Sequence, residues 1–183
     1  SSDLINWTAS QISTGDLSGI TFGNGILATM GYEGLILTST NGAESWTSTQ
    51  QYHPNSTTWS WGTQPFFLNN IFIAQLSTGK AGTSSDGVTW DRTGQTYIAH
   101  SPKSFFYRDN KYIAVGILGI HTSTDAVTWT TTNPGFQGGL NDITYGNGRY
   151  VVVGCIYKIG STYCSGDIAS STNLSSWSRH TIP

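Results

Sequence analysis

The chain has 183 residues and a formal net charge of −2, with 8 Lys and Arg against 10 Asp and Glu. Charged residues make up only 10% of it, against roughly 25% in ordinary globular domains, and so few scattered cations exclude a nucleic-acid surface. Aromatics at 13% argue against disorder, and no run of about 18 apolar residues is present to span a bilayer.

Taken in chain order, the sequence repeats itself. Ser1-Ser2-Asp3-Leu4-Ile5-Asn6-Trp7 comes first. It returns as Ser39-Thr40-Asn41-Gly42-Ala43-Glu44-Ser45-Trp46, Ser84-Ser85-Asp86-Gly87-Val88-Thr89-Trp90, Ser123-Thr124-Asp125-Ala126-Val127-Thr128-Trp129 and Ser171-Thr172-Asn173-Leu174-Ser175-Ser176-Trp177. The tryptophans lie 39, 44, 39 and 48 residues apart. A second marker precedes the last four copies: Phe22-Gly23-Asn24-Gly25, Phe67-Leu68-Asn69-Asn70, Tyr107-Arg108-Asp109-Asn110 and Tyr145-Gly146-Asn147-Gly148. Asn-Gly and Asp-Asn pairs tolerate positive φ and favour tight hairpins. A β-branched apolar strand follows each marker: Ile26 to Met30, Ile71 to Leu76, Lys111 to Ile117 and Tyr150 to Cys155. A third strand then enters the Ser-x-Asp motif, and a fourth leaves through the tryptophan.

Four antiparallel strands at a period of roughly 40–50 residues are what a β-propeller blade leaves in sequence. No segment carries sustained helical periodicity, so an all-β fold is expected. The expected architecture is one repeat array over 1–183: an extra outer strand in 1–14, then four complete blades at 15–57, 58–99, 100–138 and 139–183. Within each motif the Asp or Asn accepts N–H groups two or three residues on, the Ser hydroxyl adds another bond, and the Trp buries apolar surface between strands or blades. Asp3, Trp7, Asn41, Trp46, Asp86, Trp90, Asp125, Trp129, Asn173 and Trp177 are therefore expected to be structural.

The motifs resemble the Asp-box, or BNR, repeats of sialidase-like β-propellers, and the resemblance covers essentially the whole chain. It departs from the fullest pattern where Asn replaces Asp at Asn41 and Asn173, and where glycine is lost at Leu4, Ala126 and Leu174. The resemblance implies boxes that are structural and lie opposite the active or binding face. Sialidase activity would also require an arginine triad, an early Arg-Ile-Pro and a Tyr–Glu pair with an acidic Asp. The chain has Arg92, Arg108, Arg149 and Arg179, no Arg-Ile-Pro, and two glutamates, Glu33 and Glu44. Carboxylates at glycosidase separation cannot be assembled from these. Photosystem assembly factors of the same repeat type also resemble the chain, but they carry a basic patch that is missing here. No enzyme activity, cofactor or metal is expected; His53, His100, His121 and His180 do not cluster at ligand spacing.

Strand order decides where binding falls. With the first strand of each blade innermost, the hairpin after it and the Ser-x-Asp turn share one face. The two-to-three turns and blade connections share the other. That second set varies most, so binding is expected there. The longest connection, Gln50 to Pro65, holds Tyr52, His53, Trp59 and Trp61. Trp59 and Trp61 point to one side of a strand-like stretch and suit stacking on sugar rings; the alternative makes them core residues of an inner strand. Tyr32, Glu33, Tyr97, His100, Phe136, Gln137, Asn141, Tyr157 and Tyr163 complete the candidate ligand-binding set. Cys155 and Cys164 flank a short loop between strand-like segments and suit a cross-strand disulfide, with free thiols as the alternative. With sequons at Asn6, Asn55 and Asn173, this points to a secreted or cell-surface protein.

The leading expectation is thus a non-catalytic propeller that binds a glycan or a protein. The alternatives are a structural module of a larger extracellular assembly, such as a filament or phage fibre, a fragment of a longer propeller, or a sialidase-like glycoside hydrolase. The surplus strand around Trp7 raises the expectation of self-association through the N-terminal strand.

Overall fold

The computed structural model describes residues 5–6, 16–31, 34–50, 64–75, 80–91, 98, 102–117, 119–133, 138–157 and 164–180. Every regular element among them is a strand. The first sheet holds β1 (Leu17–Gly23), β2 (Ile26–Gly31), β3 (Leu35–Ser39) and β4 (Thr47–Gln50) in sequential antiparallel order. The second holds β5 (Phe66–Leu68), β6 (Ile71–Gln75) and β7 (Ala81–Ser84), and its fourth position is marked by a single bridge from Thr83 to Asp91. β8 (Ser104–Arg108), β9 (Lys111–Gly116), β10 (Gly119–Ser123) and β11 (Thr130–Thr132) make the third. The fourth is β12 (Leu140–Gly146), β13 (Arg149–Tyr157), β14 (Cys164–Ser171) and β15 (Ser178–His180).

Turn chemistry sets each first hairpin. Gly23 pairs with Ile26, Leu68 with Ile71, Arg108 with Lys111 and Gly146 with Arg149, leaving two-residue loops. Both loop residues hold positive φ in every blade, from Asn24 and Gly25 to Asn147 and Gly148. This is the type I′ geometry whose twist matches the strands it joins.

The Ser-x-Asp turns close as the sequence implies. In the third blade Ser123 donates to Asp125 Oδ1 at 2.8 Å, and the same oxygen accepts the N–H groups of Val127 and Thr128 at 2.8 and 2.7 Å. Asp86 repeats this with Val88 and Thr89, and Asn173 with Ser175 and Ser176. The first turn carries one extra residue, so Asn41 Oδ1 reaches the N–H of Ser45 instead. The residue after Asp or Asn takes a left-handed conformation whether or not it is glycine: φ is +70° at Gly87, +61° at Ala126 and +65° at Leu174. Two turns therefore accept a backbone strain of about 1–2 kcal/mol, and the side chains of Ala126 and Leu174 are buried.

The first strands lie side by side, β1 by β5, β5 by β8 and β8 by β12, so they are innermost. The core consists of three clusters between successive blades. Ala28, Met30, Ile36, Phe72, Ala74 and Trp90 fill the first gap. Ile73, Ile98, Phe105, Tyr112, Ala114 and Trp129 lie in the second, and Ile113, Val115, Ile120, Leu140, Ile143, Tyr150 and Val152 in the third. Each buried tryptophan turns back onto the preceding blade, with its indole N–H donating to the turn carbonyl (Trp90 to Gly87, Trp129 to Ala126, both 3.1 Å).

His121 of β10 breaks this apolar pattern. It occupies the position of Leu37 in β3 and Ala169 in β14, is fully buried, and has Thr131 Oγ1 2.9 Å from Nδ1 while Nε2 has no partner. Burial holds its pKa below 6.5. The unfolded chain then binds more protons than the folded one, so His121 favours folding fully above pH 6.5 and less as pH falls below it. The thermal midpoint should drop on acidification from pH 7 to 5, and His121→Leu should flatten that dependence. Parallel curves for the two proteins by circular dichroism would refute it.

Candidate functional site

The loop face opposite the Ser-x-Asp turns is shaped by how strands begin and end there. β9 and β10 meet through Gly116 and Gly119, with Ile117 exposed between them. At the start of β12, Gly138 N–H donates to the Cys155 carbonyl, and Cys155 N–H donates to the Gly139 carbonyl. A register shift between Leu140 and Asp142 leaves Asn141 outside the ladder and exposed. Asp142 Oδ1 accepts the N–H of Ile143 at 2.8 Å, which holds the carboxylate against its own strand.

The β13–β14 hairpin projects from this face. β13 has 9 residues, against 6, 5 and 6 in β2, β6 and β9. At about 3.4 Å per residue the excess carries it roughly 10 Å beyond its counterparts. Tyr157 pairs with Cys164 at its end, and Cys155 with Gly166. Cys155 is disulfide-bonded, and Cys164, one step along the same side of the ladder, is the chain's other cysteine.

Of the sequence-derived set, this structure therefore places Asn141 by its exposed side chain and Tyr157 by its backbone, both on the loop face. Tyr32, Glu33, Tyr52, His53, Trp59, Trp61, Tyr97, His100, Phe136, Gln137 and Tyr163 lie outside the described residues, as do Asp3, Trp7 and Arg92. Their brackets are visible: β4 ends at Gln50, opposite Leu35 on the loop face, and the chain returns at 64–66.

The charged groups that sequence reasoning considered for catalysis are engaged elsewhere. Arg108 lies on the turn face, its guanidinium 3.6 Å above the Tyr145 ring and its Nε 3.6 Å from Asp109. Asp109 in turn accepts the Tyr150 hydroxyl at 2.6 Å, a bond from the third blade to the fourth. Burial first, and the Asp109 carboxylate next, push Tyr150 up to about 12, so its phenol remains a donor. Asn69 Nδ2 donates to the Tyr112 hydroxyl in the same way between the second and third blades. These links were missed in the sequence. The available signal was the Tyr107/Tyr112 and Tyr145/Tyr150 pairing, with an acid at Asp109 where the other hairpins carry Asn. Arg149 opens β13 on the same turn face. Arg179, on the outermost strand, pairs with the buried Asp167 carboxylate. Among the described residues, no three His, Cys, Asp or Glu gather as metal ligands, and no helix is long and apolar enough to cross a membrane.

No family model matches the chain, and no curated protein matches it in sequence. Solved structures do match. YCF48 from Cyanidioschyzon merolae aligns with a TM-score of 0.64 at 15% identity, over 95% of this chain and 58% of its own. YCF48 bound to D1 peptide aligns at 0.64 and 17% identity, over 94% and 56%. The computationally designed Ika4 protein aligns at 0.55 and 14% identity, over 87% and 94%. The fold is a β-propeller. The chain spans little more than half the length of the two YCF48 structures.

Proposed function

We propose that this chain is a non-catalytic binding propeller of the Asp-box type, secreted or on the cell surface. It would hold a carbohydrate or a protein partner on the loop face opposite the Ser-x-Asp turns. The observation that carries the reading is how the acids and arginines are used. Asp86 and Asp125 are tied to turn N–H groups, Asp109 and Arg108 join two blades, and Asp167 and Arg179 pair on an outer edge. The loop face is left with the variable connections and their aromatic, amide and hydroxyl side chains, which suit binding better than proton transfer. The disulfide at Cys155 supports an oxidising compartment. The peptide-bound YCF48 structure shows a protein of this fold with a peptide ligand, which favours the protein version of the reading.

A glycan array and a pull-down from secreted-protein extracts, each repeated with Trp59→Ala and Trp61→Ala, would test the proposal. Binding should fall at least tenfold in both variants, while Trp90→Phe on the turn side leaves it unchanged. Ligand binding indifferent to both loop substitutions would sink it. Turnover of a fluorogenic sialoside that Glu33→Gln abolishes would establish the glycoside hydrolase reading instead.

A further inference from the structure

The repeat allows each blade face to be compared with its equivalents, and the two end faces of the array stand out. The leading face, which in blades two to four packs on the preceding blade, is open on the inner strand of blade one. Ile20 is 56% exposed, while its equivalents Phe105 and Ile143 are each 4% exposed. Phe22 is 64% exposed, while Phe67, Tyr107 and Tyr145 at the same position pack against the clusters between blades. Farther out on the same face, Leu37 of β3 is covered, so the opening is confined to the inner strands. The trailing face of blade four is open in the complementary region. Val153 is 39% exposed, while Met30 and Val115 at its position are 3% and 0% exposed.

These two faces match in shape as well as in polarity. Between the first two blades a ring sits on a glycine: a Cβ on Gly23, the last residue of β1, would collide with the Phe67 ring. The later junctions use other pairs, Leu68 on the second blade and Arg108 stacked on Tyr145 at the third. Blade four returns to glycine at that position. A Cβ on Gly146 would meet nothing within 4 Å, so the notch is present and unfilled. Phe22, the exposed equivalent of Phe67, is the ring that this notch fits.

We infer that the Phe22 face of blade one docks on the Gly146 and Val153 face of blade four in a second copy of this chain. Two such junctions would join two arcs into one ring. The contact is heterologous, one face meeting a different face, and such contacts either close or grow without limit. Its apolar centre repeats packing already present three times within the chain, so the occupant needs no new chemistry. Exposed rings and valines in this number are otherwise costly for a solitary domain.

Sedimentation and light scattering of the 183-residue chain should give a mass twice the 19.7 kDa of one copy. Phe22→Asp and Val153→Asp should each weaken association at least a hundredfold. Neither side chain is buried within one copy, so the far-ultraviolet circular dichroism should stay unchanged. A second measurement is independent of lost association: the double variant Phe22→Cys/Gly146→Cys, mildly oxidised, should run as a covalent dimer without reductant. A monomeric wild-type chain overturns the inference. So do a dimer that survives both aspartates, an open polymer, and a double variant that cross-links only within one copy.

Discussion

Trp129→Ala should lower the unfolding free energy by about 3–5 kcal/mol, the range for truncating a large buried aromatic side chain. The indole is buried between the second and third blades, meets the Phe105 ring edge-on at 6.1 Å, and donates to the Ala126 carbonyl. Its removal opens a cavity that two stiff sheets cannot collapse to fill, and it frees a turn whose left-handed residue, Ala126, needs that bond. Trp46 occupies the same position in the first blade but is only half buried. Trp46→Ala should therefore cost less, about half as much by exposed area. Urea titrations of the two variants would show the difference, and equal losses would refute the packing argument.

Asp125→Ala should cost about 1–2 kcal/mol, by analogy with loss of a side chain that caps backbone N–H groups. Asp125→Asn should cost less than about 0.5 kcal/mol. The amide oxygen can accept the same bonds, and Asn173 does so with N–H groups at 3.0 Å in the fourth blade. The Thr128 N–H first, then that of Val127 and the Ser123 hydroxyl, hold the Asp125 carboxyl down at about 2. The folded state thus binds its proton less readily than the unfolded chain. This contribution is complete above pH 3.8 and is lost as pH falls toward 2. Asp86 is shifted in the same direction, chiefly by the Thr89 N–H. Asp125→Asn should remove one part of the acid dependence while leaving neutral-pH stability nearly intact. A catalytic role for the carboxylate would instead show as loss of activity in the asparagine variant.

The blades were legible because their signals are local. Asn24-Gly25 and Asn147-Gly148 need only their own backbone to form a tight turn, and the Ser-x-Asp bonds span at most four residues. The glycine missing at Ala126 and Leu174 suggested weaker motifs, yet both residues take the left-handed conformation, because two or three hydrogen bonds in each turn outweigh the strain. The candidate binding face was less legible. It is made of connections that do not repeat, so residue types such as Trp59 and Trp61 could be read there while their juxtaposition could not. Asn141 was chosen for its place at a blade start, and the register shift beside it is what leaves its amide free of the ladder.

By itself the sequence determined the all-β class, the repeat, the hairpin registers and the structural role of the Ser-x-Asp motifs. Each of these rests on contacts within about 50 residues and on side chains whose preference is intrinsic. Tertiary structure alone decided that the tryptophans seal blade against blade, that Tyr150 and Asp109 bond across one of those seams, and that His121 is buried where other blades hold Leu or Ala. It also decided that Phe22 and Val153 lie on uncovered faces while their equivalents are covered. A repeat makes such positions look identical in sequence, and only the presence or absence of a neighbouring blade tells them apart.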